Sequence, residues 1–559
     1  MNLDVNSRFS YNPGTKASRS RFDLGHTVKT SFNIGELVPF YLEEVLPGDT
    51  FSIETNLLAR MQTLITPIMD DLYLDVFYFF VPNRILWDHW KDFMGENTKS
   101  AWYPTTEYTV PQISVPPTKS VAPKSTADYL GVPPITVPSG GNFTFNALPF
   151  RAYGLIWNEW FRDENLQDPV LVDTGDSTRT YNADDPVDGG KLLMANKYHD
   201  YFTSALPSPQ KGPDVTIPLI NSSIPVVPSS NSIVGGGGVA DRGMVFGQID
   251  MTNGNLSFPN QKSAVFVSTD TDGMGNVFDT NDTFSGSGKL RLFPDNLVAQ
   301  TGDSTPVATI NTLRLAFATQ RLYEKDARGG TRYREIIKSH FNTISPDARQ
   351  QVPELLGYNR TPISISQVVQ NSSSVDNSPQ GNTAAFSLTA DSDNSFVKSF
   401  TEHGLVIGLC CARYKHTYQQ GLRRLFSRKG RFDYYWPVFA NLGEQPVLNK
   451  EIYSQGRDVD DEVFGYQEAW AEYRYHPDST SAEMRSTYAQ SLDVWHLGDD
   501  YSSLPTLSPS WIQEDSKTVD RVLAVTSENS NQMFADIYVK NIATRVMPMF
   551  SIPGMSEKL

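Results

Sequence analysis

The residues best suited to a chemical task lie between positions 413 and 435. From 403 to 432 the chain carries no acidic residue, yet it holds Arg413, Lys415, Arg423, Arg424, Arg428, Lys429 and Arg431. Phe426, Phe432, Tyr434 and Tyr435 interleave with the later of these cations. Clustered cations neutralise phosphates and aromatic rings stack on unpaired bases, so the pattern is that of a single-stranded nucleic-acid contact. The competing reading is an arginine-rich face paired with acids of the next segment, in this copy or another. Residues 433–502 carry fourteen acidic residues against four basic ones. A second set of cations, Arg8, Lys16, Arg19, Arg21 and Lys29, stands in the polar first thirty residues against Asp4 and Asp23.

Patterns for catalysis or metal binding are weak. Ser285-Gly-Ser-Gly-Lys289-Leu lacks the first Gly and the Ser/Thr of a phosphate-binding loop. The eight histidines are scattered without metal-ligand spacing, which reads as packing or surface use. Ser268-Thr-Asp270-Thr-Asp272-Gly273, with Asp279 further on, imitates a calcium loop but has Ser for the first Asp and Asp for the last Glu. Asp70-Asp71 and Asp458-x-Asp460-Asp461 are neighbours on turns and cannot face one glycosidic bond from two sides. No enzymatic activity, cofactor or metal is expected. Cys410 and Cys411 are adjacent, so on a strand they point to opposite faces and do not bridge.

The element that must position everything else is Leu72 to Val81, ten residues or on the order of 33 Å of strand. Both of its faces are apolar except at Asp75, which places it inside a packed β structure. Aromatics at 12 %, 36 Pro and 38 Gly in 559 residues fit many short strands and irregular turns. A formal charge of −16 excludes a wholly basic nucleic-acid protein and confines any such contact to a patch. No apolar run is long enough for a membrane span, and the polar N-terminus is not a signal peptide.

Residues 1–30 read as an extended arm. Leu37–Val45, the turn Pro47-Gly48-Asp49 and Thr50–Leu64 lead into the central strand, an antiparallel start. A short helix with Leu86, Trp90 and Phe93 follows Pro82, and residues 100–140 are Pro-rich and hold little sheet. Asn146–Asn165 is expected as a helix with Pro149 in its first turn, and 166–213 as irregular. Residues 214–306, low in charge and rich in Gly, Ser, Thr and Asn, read as a small β subdomain inserted in a loop. Helices are expected over Thr312–Arg328 and Tyr333–Phe341, a loop over 365–395, and a strand through Leu405–Ala412. The end reads as a hairpin, Val519–Thr526 with Phe534–Ile542.

Pro39-Phe40, Glu44-Val-Leu-Pro-Gly-Asp-Thr50, Phe79-Phe-Val-Pro-Asn-Arg84 and Trp87 carry a resemblance. It continues through Asn146-Ala-Leu-Pro-Phe-Arg-Ala-Tyr153, Asn158-Glu-Trp-Phe-Arg162, His199-Asp-Tyr-Phe-Thr-Ser-Ala-Leu-Pro207 and Gln210-Lys-Gly212. Asp326-Ala-Arg-Gly-Gly-Thr-Arg-Tyr333, Ser345-Pro-Asp347, Tyr418-Gln-Gln-Gly421, Arg431-Phe-Asp-Tyr-Tyr-Trp-Pro437, Phe464-Gly-Tyr-Gln-Glu468 and Ala471-Glu-Tyr-Arg474 extend it. In these stretches, in order along nearly the whole chain, the sequence resembles the major capsid proteins of microviruses, the small icosahedral single-stranded DNA bacteriophages, of gokushovirus type. The resemblance departs in 214–306 and 365–395.

The resemblance implies a mainly β chain: one eight-stranded antiparallel jelly roll with long loop insertions that contain short helices and a small β subdomain. Its segments would be an interior N-terminal arm (1–35), first strands with Pro-rich and helical insertions (36–213), a surface insertion at the threefold axes (214–306), and the remaining strands (307–559). It implies a T=1 icosahedral shell of sixty copies around circular single-stranded DNA, assembled in the host cytoplasm as the virion capsid. Implied partners are an internal scaffolding protein, minor DNA-binding or pilot proteins, and a bacterial surface receptor.

On this reading Arg8, Lys16, Arg19, Arg21, Arg423, Arg424, Arg428, Lys429 and Arg431 face the genome. Gly235, Gly236, Gly237, Gly238, Val239, Phe246, Phe266 and Phe278 are the candidates for host recognition. The alternatives are a secreted β-rich carbohydrate-binding protein or glycosidase, and a phage spike or fibre protein. The first lacks a leader and converging carboxylates; the second should show an internal repeat.

Overall fold

The structure, a computed structural model, describes residues 18–97, 107–215, 310–372, 380–381 and 383–550, with the backbone of seven short strands between 226 and 299. The chain divides into two compact units, residues 1–211 with 323–559, and residues 212–322.

Nine strands of the first unit build two antiparallel sheets: β1 (Ser20–Asp23), β2 (His26–Phe32), β3 (Val38–Val45), β4 (Thr50–Met61), β5 (Leu72–Pro82), β6 (Glu354–Pro362), β7 (Thr389–Ser399), β8 (Gly404–Tyr414) and β9 (Met533–Arg545). In the first sheet, β1 and β2 both pair with β9, followed by β4 and β7; the second runs β6, β5, β8 and β3. Tyr41, Tyr78 and Phe80 of the second sheet and Phe51, Ile53 and Phe396 of the first are buried in one core. The Pro47-Gly48-Asp49 turn therefore does not close a hairpin, as an antiparallel start suggests, but carries the chain from one sheet to the other. Gly48 takes φ +92°, and the Asp49 carboxylate accepts from the Leu46 N–H at 3.0 Å.

β5 lies between β6 and β8, paired along its whole length with β8. Its other face is covered by a helical insertion: Phe77 and Phe79 both pack on Phe161, and Phe79 on Trp160. The insertion is α1 (Leu148–Ile156), continued as a wider π-helical turn over Trp157–Phe161, and the chain is extended at Arg162. The helix expected to Asn165 thus stops earlier, once Trp157 and Trp160 have found the Met194 and Pro353 carbonyls for their indole N–H groups.

Four other expectations are corrected. The single helix after Pro82 is two short ones, Asn83–Leu86 and Trp90–Phe93, because the fully buried Trp87 is extended between them. The loop expected over 365–395 contains the hairpin Ile365–Val369 with Thr383–Ser387, and most of β7, which pairs with β4. Its Ser/Asp content belongs to strands polar on one face. The C-terminal hairpin has no first arm: Ser516–Asp520 is a helix opened by the Asp515 carboxylate on the Lys517 N–H, and β9 pairs with β4 instead. Residues 20–32, expected as part of an extended arm, are strands on the edge of β9. Helices α2 (Ile310–Gly329) and α3 (Tyr333–Phe341) lie close to where periodicity puts them.

In the second unit the described backbone is antiparallel. Phe246–Asp250 pairs with Leu256–Ser257 and Leu290–Pro294, Phe266–Thr269 with Gly275–Phe278, and Val226–Pro228 with Leu297–Ala299. No helix among the described residues is long and apolar enough to cross a membrane.

Candidate functional site

The basic stretch leaves β8 and becomes a chain of tight turns, with 3₁₀ segments at Arg424–Ser427, Arg431–Asp433 and Pro437–Phe439. The Asp433 carboxylate fixes one bend by accepting the N–H groups of Gly430 at 2.7 Å and Lys429 at 2.8 Å, which hold its pKa below the usual carboxylate range.

Two of the five cations of Arg423–Arg431 are already neutralised. Arg424 donates to the Pro446 carbonyl at 3.0 Å and pairs with Glu451 and Glu472 at 3.5 and 3.9 Å. Arg428 pairs with Glu472 at 3.2 Å and lies 4.3 Å over the Tyr473 ring. Burial pushes the Glu451 carboxyl up, against the pull of Arg424. Both arginines thus pin the segment to the acid-rich stretch after it. Arg423, Lys429 and Arg431 are exposed and make no ion pair among the described residues; Arg431 stacks on Trp436 at 4.8 Å. A cavity of about 580 Å³ lies behind the segment, lined by Tyr201, Arg424, Phe426, Arg428, Tyr473 and Tyr475 among others.

Arg19 and Arg21 stand exposed at β1, also without an ion pair among the described residues. Arg8 and Lys16 lie outside the described residues, as do Gly235, Gly236, Gly237, Gly238 and Val239. Phe246, Phe266 and Phe278 stand on described strand backbone, but their side chains are outside the description. The side chains of the calcium-like loop from Ser268 to Asp279 are outside the description too, as is the backbone of 270–274 and 279. No group of three or more His, Cys, Asp or Glu side chains among the described residues is placed to hold a metal ion.

Two buried ionic clusters have a clear structural use that the sequence did not disclose. Asp75, the one polar residue of the central strand, is fully buried and accepts from Tyr198 at 2.7 Å, Arg360 at 2.9 Å, Tyr358 at 3.0 Å and Arg413 at 3.1 Å. Burial opposes its charge, yet Arg413 and these donors hold its pKa below the ordinary value. Arg413, read from sequence as part of the basic stretch, is thereby a core residue. Just past β8, His416 places Nδ1 3.0 Å from Asp499 and Nε2 2.9 Å from Glu514. The only signal for the first cluster was a lone Asp in an apolar strand. The second gave none, because its members are 83 and 98 positions from His416.

Among the described residues the arrangement is a two-sheet sandwich whose loops are pinned by ion pairs and whose surface carries exposed basic and aromatic segments. The sequence matches the family described as capsid protein (F protein) over residues 10–555. It is 41 % identical to capsid protein VP1 of Chlamydia phage 1 over 99 % of this chain and 98 % of that one. It is 40 % identical to capsid protein VP1 of Bdellovibrio phage phiMH2K and to that of Spiroplasma virus 4, each over 98 % of this chain and 97 % of the relative. With the match spanning nearly its whole length, the chain belongs to the capsid protein (F protein) family.

Proposed function

We propose that this chain is the major capsid protein of a microvirus of gokushovirus type, closing a T=1 icosahedral shell of sixty copies around circular single-stranded DNA. The observation that carries this reading is the strand order. With β1 and β2 counted as one interrupted strand, each sheet has four positions and the chain alternates between sheets at every step except β5 to β6. This alternation supports an eight-stranded jelly roll, an architecture shared by many viral capsids. Closed symmetry turns individually weak contacts between copies into a stable particle.

Phosphate contacts fall to Arg19 and Arg21, which are exposed and make no ion pair among the described residues. Arg424 and Arg428 are withdrawn from that role by Glu451 and Glu472. Residues 214–306 carry host recognition at the bacterial surface, and assembly in the host cytoplasm engages an internal scaffolding protein and minor DNA-binding or pilot proteins. The test is expression of the chain with its scaffolding protein, followed by negative-stain microscopy and extraction of nuclease-protected DNA. Closed particles of one size with protected single-stranded DNA are expected. In particles bearing Arg19→Glu and Arg21→Glu, DNA content should drop while the shell persists; unchanged content would reject the assignment of those two residues.

A further inference from the structure

We propose that the segment from Arg423 to Val438 is a contact with a second copy of this chain rather than with the genome, an inference that rests on the capsid reading. The segment presents large apolar side chains to solvent: Phe426 is 68 %, Phe432 72 % and Val438 88 % exposed. A single exposed apolar residue needs no explanation, but a run of them on one folded segment marks a surface that another protein covers. Aromatic side chains with arginine at the edge are the composition of such contacts. Val438 has no ring to offer a base, so stacking does not account for it.

The charge arrangement selects the partner. The chain carries a formal −16, so two copies repel unless a cationic surface of one faces the other. Arg423, Lys429 and Arg431 flank the apolar residues, and all three are exposed. A second copy supplies exposed acids in turn: Asp458 and Glu462 stand beside Val463, itself exposed. Internal pairing of Arg424 and Arg428 holds the segment in shape before the neighbour arrives, so little ordering cost falls on association.

Hydrogen exchange on the unaltered protein tests this without risk of misfolding. Shells closed without DNA are compared with dissociated subunits, and amides of 423–438 should gain protection in the empty shell. Protection that arises only in DNA-filled shells overturns the proposal in favour of genome contact, as does no change in either. Two variants supply the second arm: Arg423→Glu with Lys429→Glu and Arg431→Glu, and Phe426→Ser with Phe432→Ser and Val438→Ser. Each should raise the subunit concentration at half assembly by about tenfold or more, with the dissociated subunit's melting temperature unchanged. Shells that form at the normal concentration but hold less DNA also overturn it. If the unaltered chain forms no shell at all, it is the capsid reading that has failed.

Discussion

Tyr78 of β5 and Thr55 of β4 share a hydrogen bond of 2.7 Å across the interior of the sandwich. The Thr55 hydroxyl also lies 2.8 Å from that of Ser395 in β7, so three strands from both sheets meet at one polar point in an apolar core. Burial drives the Tyr78 phenol pKa far up, and the group stays a neutral hydrogen-bonding partner. Replacing Tyr78 by Phe should cost about 1–2 kcal/mol, the loss of one buried hydrogen bond. Tyr78→Ala should cost about 3–5 kcal/mol because it also leaves a cavity. Urea unfolding of the dissociated subunit separates the two; equal losses would show that the ring contributes nothing beyond its hydroxyl.

Asp75 is held by Arg360 and Arg413, whose guanidinium groups lie 4.3 and 4.2 Å over the Tyr198 ring. Asp75→Asn removes the charge and leaves Arg413 buried without its counter-ion, at a cost of about 3–5 kcal/mol. Replacing Asp75 and its more buried partner with apolar residues, Asp75→Leu with Arg413→Met, should recover part of that loss, because the counter-ion left over, Arg360, has a side chain 39 % exposed and can turn to water. Thermal unfolding of the three variants is the measurement. A double variant worse than Asp75→Asn would mean that the pair stabilises beyond mutual compensation.

Asp75 also shows how far the sequence could be read. The strand around it was legible because apolar residues fill both faces, and a strand so built must be covered twice. What covers it was not legible, since Trp160 and Phe161 come from an insertion about eighty residues on. β7 was hidden for the opposite reason: one face is solvated, and its Ser and Asp residues imitate a loop. At the basic stretch, composition located the segment but could not show which cations were free. Glu451 and Glu472, which neutralise Arg424 and Arg428, lie 27 and 44 positions further along the chain. The pairing of strands into sheets was equally hidden, because alternation identifies a strand but not its neighbour.

His416 gives stability a pH dependence of defined sign. Burial disfavours the charged ring, but Asp499 and Glu514 outweigh it and hold the pKa up to about 9, from 6.5. A raised pKa makes the contribution full below about pH 6.5 and lost as pH climbs through about 9. Asp499 is held down to about 2 from 3.8 against its own burial, so its share is present above about pH 3.8 and lost as pH falls through 2. For His416→Gln, the drop in melting temperature should be largest near pH 6 and shrink by pH 10. The maximum difference corresponds to on the order of 3 kcal/mol. A drop of equal size at both pH values would assign the residue to packing alone.

The strands of residues 212–322 pair with one another and with no strand of the sandwich among the described residues. Replacing 214–306 with a short Gly-Ser linker therefore removes no hydrogen bond from either sandwich sheet, and its entropic cost grows only slowly with linker length. Closed shells of normal stability are expected from that variant, while attachment to host cells should be lost if the segment carries recognition. Microscopy reads the first outcome and adsorption of particles to bacteria reads the second. Failure of shells to close would place the segment in contact between copies, and normal adsorption would move recognition to the sandwich itself.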